Sequence, residues 1–307
     1  MRSAARADGR LRVGDNRSME LHFTKMQGAG NDFVMLDGIA QRLDLTPERL
    51  RRMADRRYGV GADQILVVEA APAADVDFRY RIFNADGAEV EQCGNGARCF
   101  VKFVRDRGLT RKRTVRVLTA GGTLELRLED DGDVSVDMGA PDFDPAAAGM
   151  NTSGLQGRRL GNAWFWPLAA GGATMEVCAV SLGNPHAVQF VADVDHVAVA
   201  TLGPAIERHE RFARGVNAGF AQIQDRRNLR LRVWERGTGE TLACGSGACA
   251  AAAAGIRMGL LDSPVRVHAR GGRLLVSWSD APAAPAPSHV TLSGPAEKVY
   301  EGRIELT

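Results

Sequence analysis

Cys93 and Cys244 stand 151 residues apart, each at the head of the same short pattern, Cys-Gly-x-Gly-Ala. Each precedes a glycine-rich turn that leads into an apolar run. A helix is therefore expected to begin there, with unpaired backbone N–H groups and the positive end of its dipole turned toward the sulfur. Such a setting is expected to lower a thiol pKa. The same N–H groups, approachable through Gly94, Gly96, Gly245 and Gly247, make a cradle for a carboxylate. If the two thiols face each other across a cleft, one thiolate can take a proton from one face of a carbon while the other thiol delivers a proton to the opposite face. This is the minimum machinery for inverting a stereocentre, and the two helix starts supply preorganised donors for the negative charge that develops.

Other chemistries are poorly served. Cys-x-x-Cys and clustered Cys/His spacings are missing from the sequence, which argues against a zinc site and a thioredoxin-like redox role. Gly28-Ala29-Gly30 and Gly59-Val60-Gly61 lack the third glycine and the βαβ setting of a dinucleotide fingerprint. Cys99, Cys178 and Cys249 are assigned to packing, as are Phe100, Phe103 and Trp234.

The elements that must position the thiols come as a repeat. Arg81-Ile82-Phe83, Glu89 and Cys93 recur at a constant spacing of 151 as Arg232-Val233-Trp234, Glu240 and Cys244. Val115-Arg116-Val117, Gly121-Gly122 and Leu124 recur 150 residues on, and Gly30-Asn31 recurs as Gly183-Asn184 after 153. Matches in one order indicate a duplicated unit of about 150 residues, a usual domain size. Period-two alternation over 115–118, 124–128 and 134–137 predicts strands, and the two Gly-Gly pairs predict hairpin turns. Thr46-Pro47 is expected to open a helix running to about Arg57. The stretches 97–104 and 248–254 read as helices, the second almost wholly alanine, as a helix enclosed by sheet requires.

The expected fold is α+β: two pseudo-symmetric domains from an internal duplication, each a curled, mostly antiparallel sheet around a central helix, with the active site in the interdomain cleft. The expected boundaries are 21–138 plus 295–307 for one domain and 139–294 for the other, with 141–161 as the crossover, 281–287 as a surface loop and 1–20 as a disordered leader. Met19 is an alternative start.

Composition fits that size. Of 307 residues, 45% are hydrophobic and 25% charged, and 39 basic against 37 acidic side chains leave +2, too little for a nucleic-acid partner. The longest apolar run, 248–256, is far shorter than the roughly 20 residues that cross a bilayer, so no membrane role is expected. Five cysteines are too few for a disulfide scaffold and suit free thiols in a reducing, cytoplasmic compartment.

Eight segments taken in order resemble the diaminopimelate epimerase family over about residues 21 to 305: Gly28-Ala29-Gly30-Asn31-Asp32-Phe33, Gly61-Ala62-Asp63-Gln64, Phe83-Asn84-Ala85-Asp86-Gly87, Gln92-Cys93-Gly94-Asn95-Gly96-Ala97-Arg98, Gly183-Asn184-Pro185-His186, Val216-Asn217-Ala218-Gly219-Phe220, Glu235-Arg236-Gly237 and Ala243-Cys244-Gly245-Ser246-Gly247-Ala248. The resemblance implies interconversion of LL- and meso-diaminopimelate, a step toward lysine and peptidoglycan, without pyridoxal phosphate or metal. It implies Cys93 and Cys244 as the acid/base thiols, with His186 and Glu235 beside them setting thiol protonation. Gly94, Asn95, Gly245 and Ser246 would hold the α-carboxylate, and Asn31, Gln64, Asn84, Asn184, Asn217, Glu235 and Arg236 would read the remainder. A homodimer with Tyr300 at the contact is also implied. Two readings compete with it: a two-thiol racemase acting on a smaller amino acid such as proline, and a non-catalytic binding or thiol redox protein using the same cleft.

Overall fold

The computed structural model describes residues 19–90, 93–280 and 288–306. The expected leader, through residue 18, lies outside the described residues, as do Gln92 and the loop expected over 281–287.

The first half runs β1 (Met19–Gly28), β2 (Asn31–Asp37), α1 (Pro47–Ala54), β3 (Gln64–Ala70), β4 (Phe78–Asn84), β5 (Glu89–Val90), α2 (Gly94–Asp106), β6 (Thr114–Thr119), β7 (Gly122–Leu128) and β8 (Val134–Asp137). β9 (Arg158–Leu160) and β10 (Ala163–Ala170) follow. The order then returns as β11 (Ala173–Ser181), β12 (Pro185–Phe190), α3 (Val199–Glu207), β13 (Asn217–Asp225), β14 (Asn228–Glu235), β15 (Gly239–Thr241), α4 (Gly245–Arg257), β16 (Val265–Ala269), β17 (Gly272–Ser277) and β18 (Thr291–Gly294), with β19 (Glu297–Leu306) after it.

The repeat extends to strand direction. β2 on β3 and β12 on β13 are parallel, as are β4 on β6 and β14 on β16; the other ladders are antiparallel. A parallel pair needs a crossover, and each of the four is spanned by one helix. α2 touches β1, β2, β3, β7, β8 and β19, and α4 touches β11 to β14 and β16 to β18, so each half-sheet curls around its own central helix. The halves join where β8 pairs with β18, Val136 opposite Leu292. β19 crosses back onto β1, Leu306 opposite Met19.

Local chemistry explains the element ends. The two Gly-Gly hairpins form, with Thr119 opposite Gly122 and Ala269 opposite Gly272. α1 starts as expected, Thr46 Oγ1 accepting the Arg49 N–H at 3.3 Å with Pro47 in the first turn. It stops at Ala54, short of Arg57, because Asp55 turns extended and its carboxylate takes the N–H groups of Arg57 and Tyr58, each at 2.7 Å.

Enclosure alone does not dictate small side chains. Residues 248–254 of α4 are wholly buried and, apart from Cys249, alanine, but the equally enclosed α2 buries Phe100, Val101, Phe103 and Val104. Helix and surrounding strands share one core volume, and which of them supplies the bulk differs between the halves.

Candidate active site

Cys93 is the N-cap of α2 and Cys244 the N-cap of α4, both in extended backbone immediately before the first helical residue. The Cys93 sulfur accepts the Gly96 N–H at 3.5 Å, and its thiol donates to Asn31 Oδ1 at 3.7 Å. The Cys244 sulfur lies 3.6 Å from Ser246 Oγ. Side chains are crowded around them: a Cβ at Gly96 would stand 2.5 Å from Tyr80 Oη, and one at Gly247 3.0 Å from Val233 Cγ2 and 3.3 Å from Cys244 Sγ.

The two helix starts adjoin. A Cβ at Gly245 would lie 3.6 Å from Asn95 Oδ1 and 4.0 Å from Gly94 Cα. Asn95 is buried and its Nδ2 donates to Asn31 Oδ1 at 3.3 Å and to the Ala243 carbonyl at 3.0 Å.

The remaining expected residues form two hydrogen-bonded groups, one in each half. In the first half, Asn31 Nδ2 donates to Asp63 Oδ2 at 2.7 Å, and Gln64 Nε2 donates to Asn84 Oδ1 at 2.9 Å across the β3–β4 ladder, leaving Gln64 Oε1 buried without a partner. In the second half, Asn184 donates to Ser246 Oγ at 3.1 Å and its Oδ1 meets His186 Nε2 at 3.1 Å. His186 is opposite Asn217 on the β12–β13 ladder; Asn217 donates to the Pro185 carbonyl at 3.1 Å and accepts the Arg236 N–H at 2.8 Å. Arg236 Nη1 rests on the Arg214 carbonyl at 3.0 Å. Glu235 accepts the Thr241 hydroxyl and the Cys244 thiol. Tyr300 is outside these groups, on β19, half-exposed and edge-on to Phe23 with ring centres 5.8 Å apart.

The electrostatics overturn one expectation. Both thiols are pushed up instead of down: Cys93 to about 11 and Cys244 well above its usual 9. Burial is the main cause, and the charge of Glu235 adds to it at both sulfurs. The N–H bonds at the helix starts pull the other way but do not offset the loss of water. Burial also raises Glu235 and, with Arg236 nearby, lowers His186 to about 3. The imidazole is therefore neutral, and its Nδ1 is buried without a partner.

Several residues that hold these groups were not singled out by sequence. Asp63 fixes Asn31 and receives Arg56 at 2.8 Å. Glu207 takes Trp234 Nε1 and the Gly237 N–H, each at 2.7 Å, and so pins the turn that carries Arg236. Arg98 fixes Asn95, donating to its Oδ1 at 3.0 Å. Asp63 and Arg98 stood inside recognised motifs, whereas Glu207 carried no local signal. Among the described residues no group of three or more His, Cys, Asp or Glu is placed to hold a metal ion, and no helix is long and apolar enough to cross a membrane.

Comparison with known proteins agrees with the geometry. A family model described as diaminopimelate epimerase matches residues 23–143 and 178–299, one segment in each half of the repeat. The diaminopimelate epimerase of Paraburkholderia xenovorans is 60% identical over 288 residues, covering 94% of this chain and 99% of that protein. That of Cupriavidus necator is 58% identical over 94% of this chain and 98% of its own. Among solved structures, a phenazine biosynthesis protein of the PhzF family from Bacillus anthracis superposes with a TM-score of 0.65 at 18% identity, over 93% of this chain and 99% of that one. A hydroxyproline epimerase from Agrobacterium vitis does so with a TM-score of 0.61 at 12% identity, over 94% and 93%.

Proposed function

The chain belongs to the diaminopimelate epimerase family and is an isomerase, and from that premise we propose that it interconverts LL- and meso-diaminopimelate through Cys93 and Cys244. The observation that carries this reading is the meeting of two thiol-capped helix starts, one from each half, at the Asn95–Ala243 bond.

In this reading the substrate α-carboxylate binds the N–H groups of Gly94, Asn95, Gly245 and Ser246, with the α-carbon between the sulfurs. One thiolate takes the α-proton, the electron pair left on carbon is stabilised through the anchored carboxylate, and the other thiol protonates the opposite face. The enzyme is left with its thiol and thiolate exchanged. Because burial keeps both thiols protonated at rest, one proton must leave first. Glu235, the acceptor of the Cys244 thiol, is suited to receive it. His186, kept neutral by burial, adds no positive charge that would favour either thiolate at rest.

Arg236 offers a bidentate partner for the distal carboxylate, and Asn31, Gln64, Asn84, Asn184 and Asn217 offer donors and acceptors without adding charge. The proposed steps use no cofactor. We place the enzyme in the cytoplasm as a homodimer, with Tyr300 and Val299, both exposed on β19, at the contact. Sedimentation of Tyr300→Asp as a monomer beside a dimeric wild type is the expected result.

Incubating reduced protein with LL-diaminopimelate in deuterated water and following the α-proton by NMR tests the chemistry. Exchange together with appearance of the meso isomer is expected. Binding without exchange would leave a non-catalytic amino-acid site.

A further inference from the structure

Arg98 is fully buried on α2, five residues after Cys93. Its hydrogen bonds all end on neutral acceptors: Nε on the Pro295 carbonyl at 3.3 Å, Nη1 on the Gly94 carbonyl at 3.4 Å and Nη2 on Asn95 Oδ1 at 3.0 Å. Gly28 and Gly294 border it at van der Waals distance. A Cβ at Gly28 would lie 3.4 Å from Nη2, and one at Gly294 3.4 Å from Nε. A guanidinium does not shed its proton in a protein, and a buried charge is normally paired with an opposite one. The groups that act on it electrostatically include Cys99 on its own helix, Cys93 at the N-cap of that helix, the partly buried Asp133 before β8 and Cys249 on α4.

We propose that Arg98 is the positioning residue of this site: its fixed positive charge is the counter-ion of the thiolate formed at Cys93, and its hydrogen bond locks the Asn95 amide between the two thiol-bearing helices. The proposal rests on the two-thiol reading. The groups around the Cys93 sulfur are Glu235 from β14, Tyr80 from β4, Cys99 and Arg98 from α2, and Asn31 from β2. Arg98 brings a positive charge to them.

The test compares wild type with Arg98→Met, Arg98→Gln and Arg98→Lys. Alkylation of Cys93 by iodoacetamide is followed by peptide mass mapping across pH, with circular dichroism to confirm folding. In the Met and Gln variants the alkylation rate at any fixed pH between about 7 and 9, where the fold is most stable, should fall about tenfold, as the thiolate fraction does. Arg98→Lys should return toward wild type. Gln keeps a donor toward Asn95 without the charge, and it replaces Met if Met does not fold. A wild-type alkylation rate in either folded neutral variant would overturn the proposal. Solvent exchange by the wild type, measured in parallel, is independent of this readout. A wild type that binds but does not exchange removes the two-thiol reading, while the alkylation profile still reports on the charge of Arg98.

Discussion

The side chain of Asn95, two residues after one thiol, donates at 3.0 Å to the carbonyl of Ala243, the residue immediately before the other. A single buried amide thus ties the start of α2 to the start of α4, and Arg98 holds its far side at 3.0 Å. The repeat supplies two equivalent helix starts, and this bond joins them directly.

Replacing Asn95 by alanine leaves the Ala243 carbonyl and one Arg98 N–H buried without partners. Each such loss costs about 1–3 kcal/mol. Asn95→Ala should lower unfolding free energy by at least about 1 kcal/mol in urea titration and slow epimerisation more than it weakens substrate binding. Wild-type stability in this variant would mean that the amide does not link the halves.

Cys93→Ser and Cys244→Ser should each reduce epimerisation by at least about 10²-fold, since a serine hydroxyl is a far weaker acid than a thiol and general acid–base catalysis contributes on that scale. NMR of the α-proton in deuterated water measures both variants directly. Full activity in either would contradict the two-thiol mechanism.

The duplication, the strand alternation, both hairpins and both thiol-capped helices were legible because they depend on local periodicity and on residues repeated at fixed spacing. What escaped was set by long-range packing. The glycine runs announced N–H donors at Cys93 and Cys244, but the burial that outweighs those donors comes from strands far away in sequence, so the direction of the thiol shift was misread. The early end of α1 follows from the Asp55 side chain competing for two N–H groups. Glu207 supports Arg236 through Trp234 and Gly237, about 30 residues on, a relation that no sequence pattern contains.

Gly96→Ala tests the crowding around the first thiol. The new methyl group would meet the buried Tyr80 hydroxyl at 2.5 Å, so the first turn of α2 or the tyrosine must move. Overpacking of this kind costs about 1–3 kcal/mol. Loss of stability is expected together with loss of activity, because the same N–H holds the Cys93 sulfur. Gly96→Ala with Tyr80→Phe, which removes the clashing oxygen, should recover part of both.

Stability should be greatest between about pH 6.5 and pH 9, and the direction on each side follows from proton binding. His186 titrates at about 3 when folded against an ordinary 6.5, so between those values only the unfolded chain takes up its proton. Its contribution is complete above 6.5 and is lost as pH falls, at up to about 1.4 kcal/mol per pH unit. The thiols act in the opposite sense. Cys93 is raised to about 11, and Cys99 and Cys178 to about 12, so above 9 the unfolded chain releases protons that the folded one keeps. Stability is therefore lost as pH rises through that range. Urea denaturation at a series of pH values should trace this dome, and His186→Gln should flatten its acid side while leaving the alkaline side in place. Glu235, raised by burial, slopes the other way over part of this range, so the comparison with His186→Gln decides: an acid side identical in variant and wild type would contradict a buried neutral imidazole.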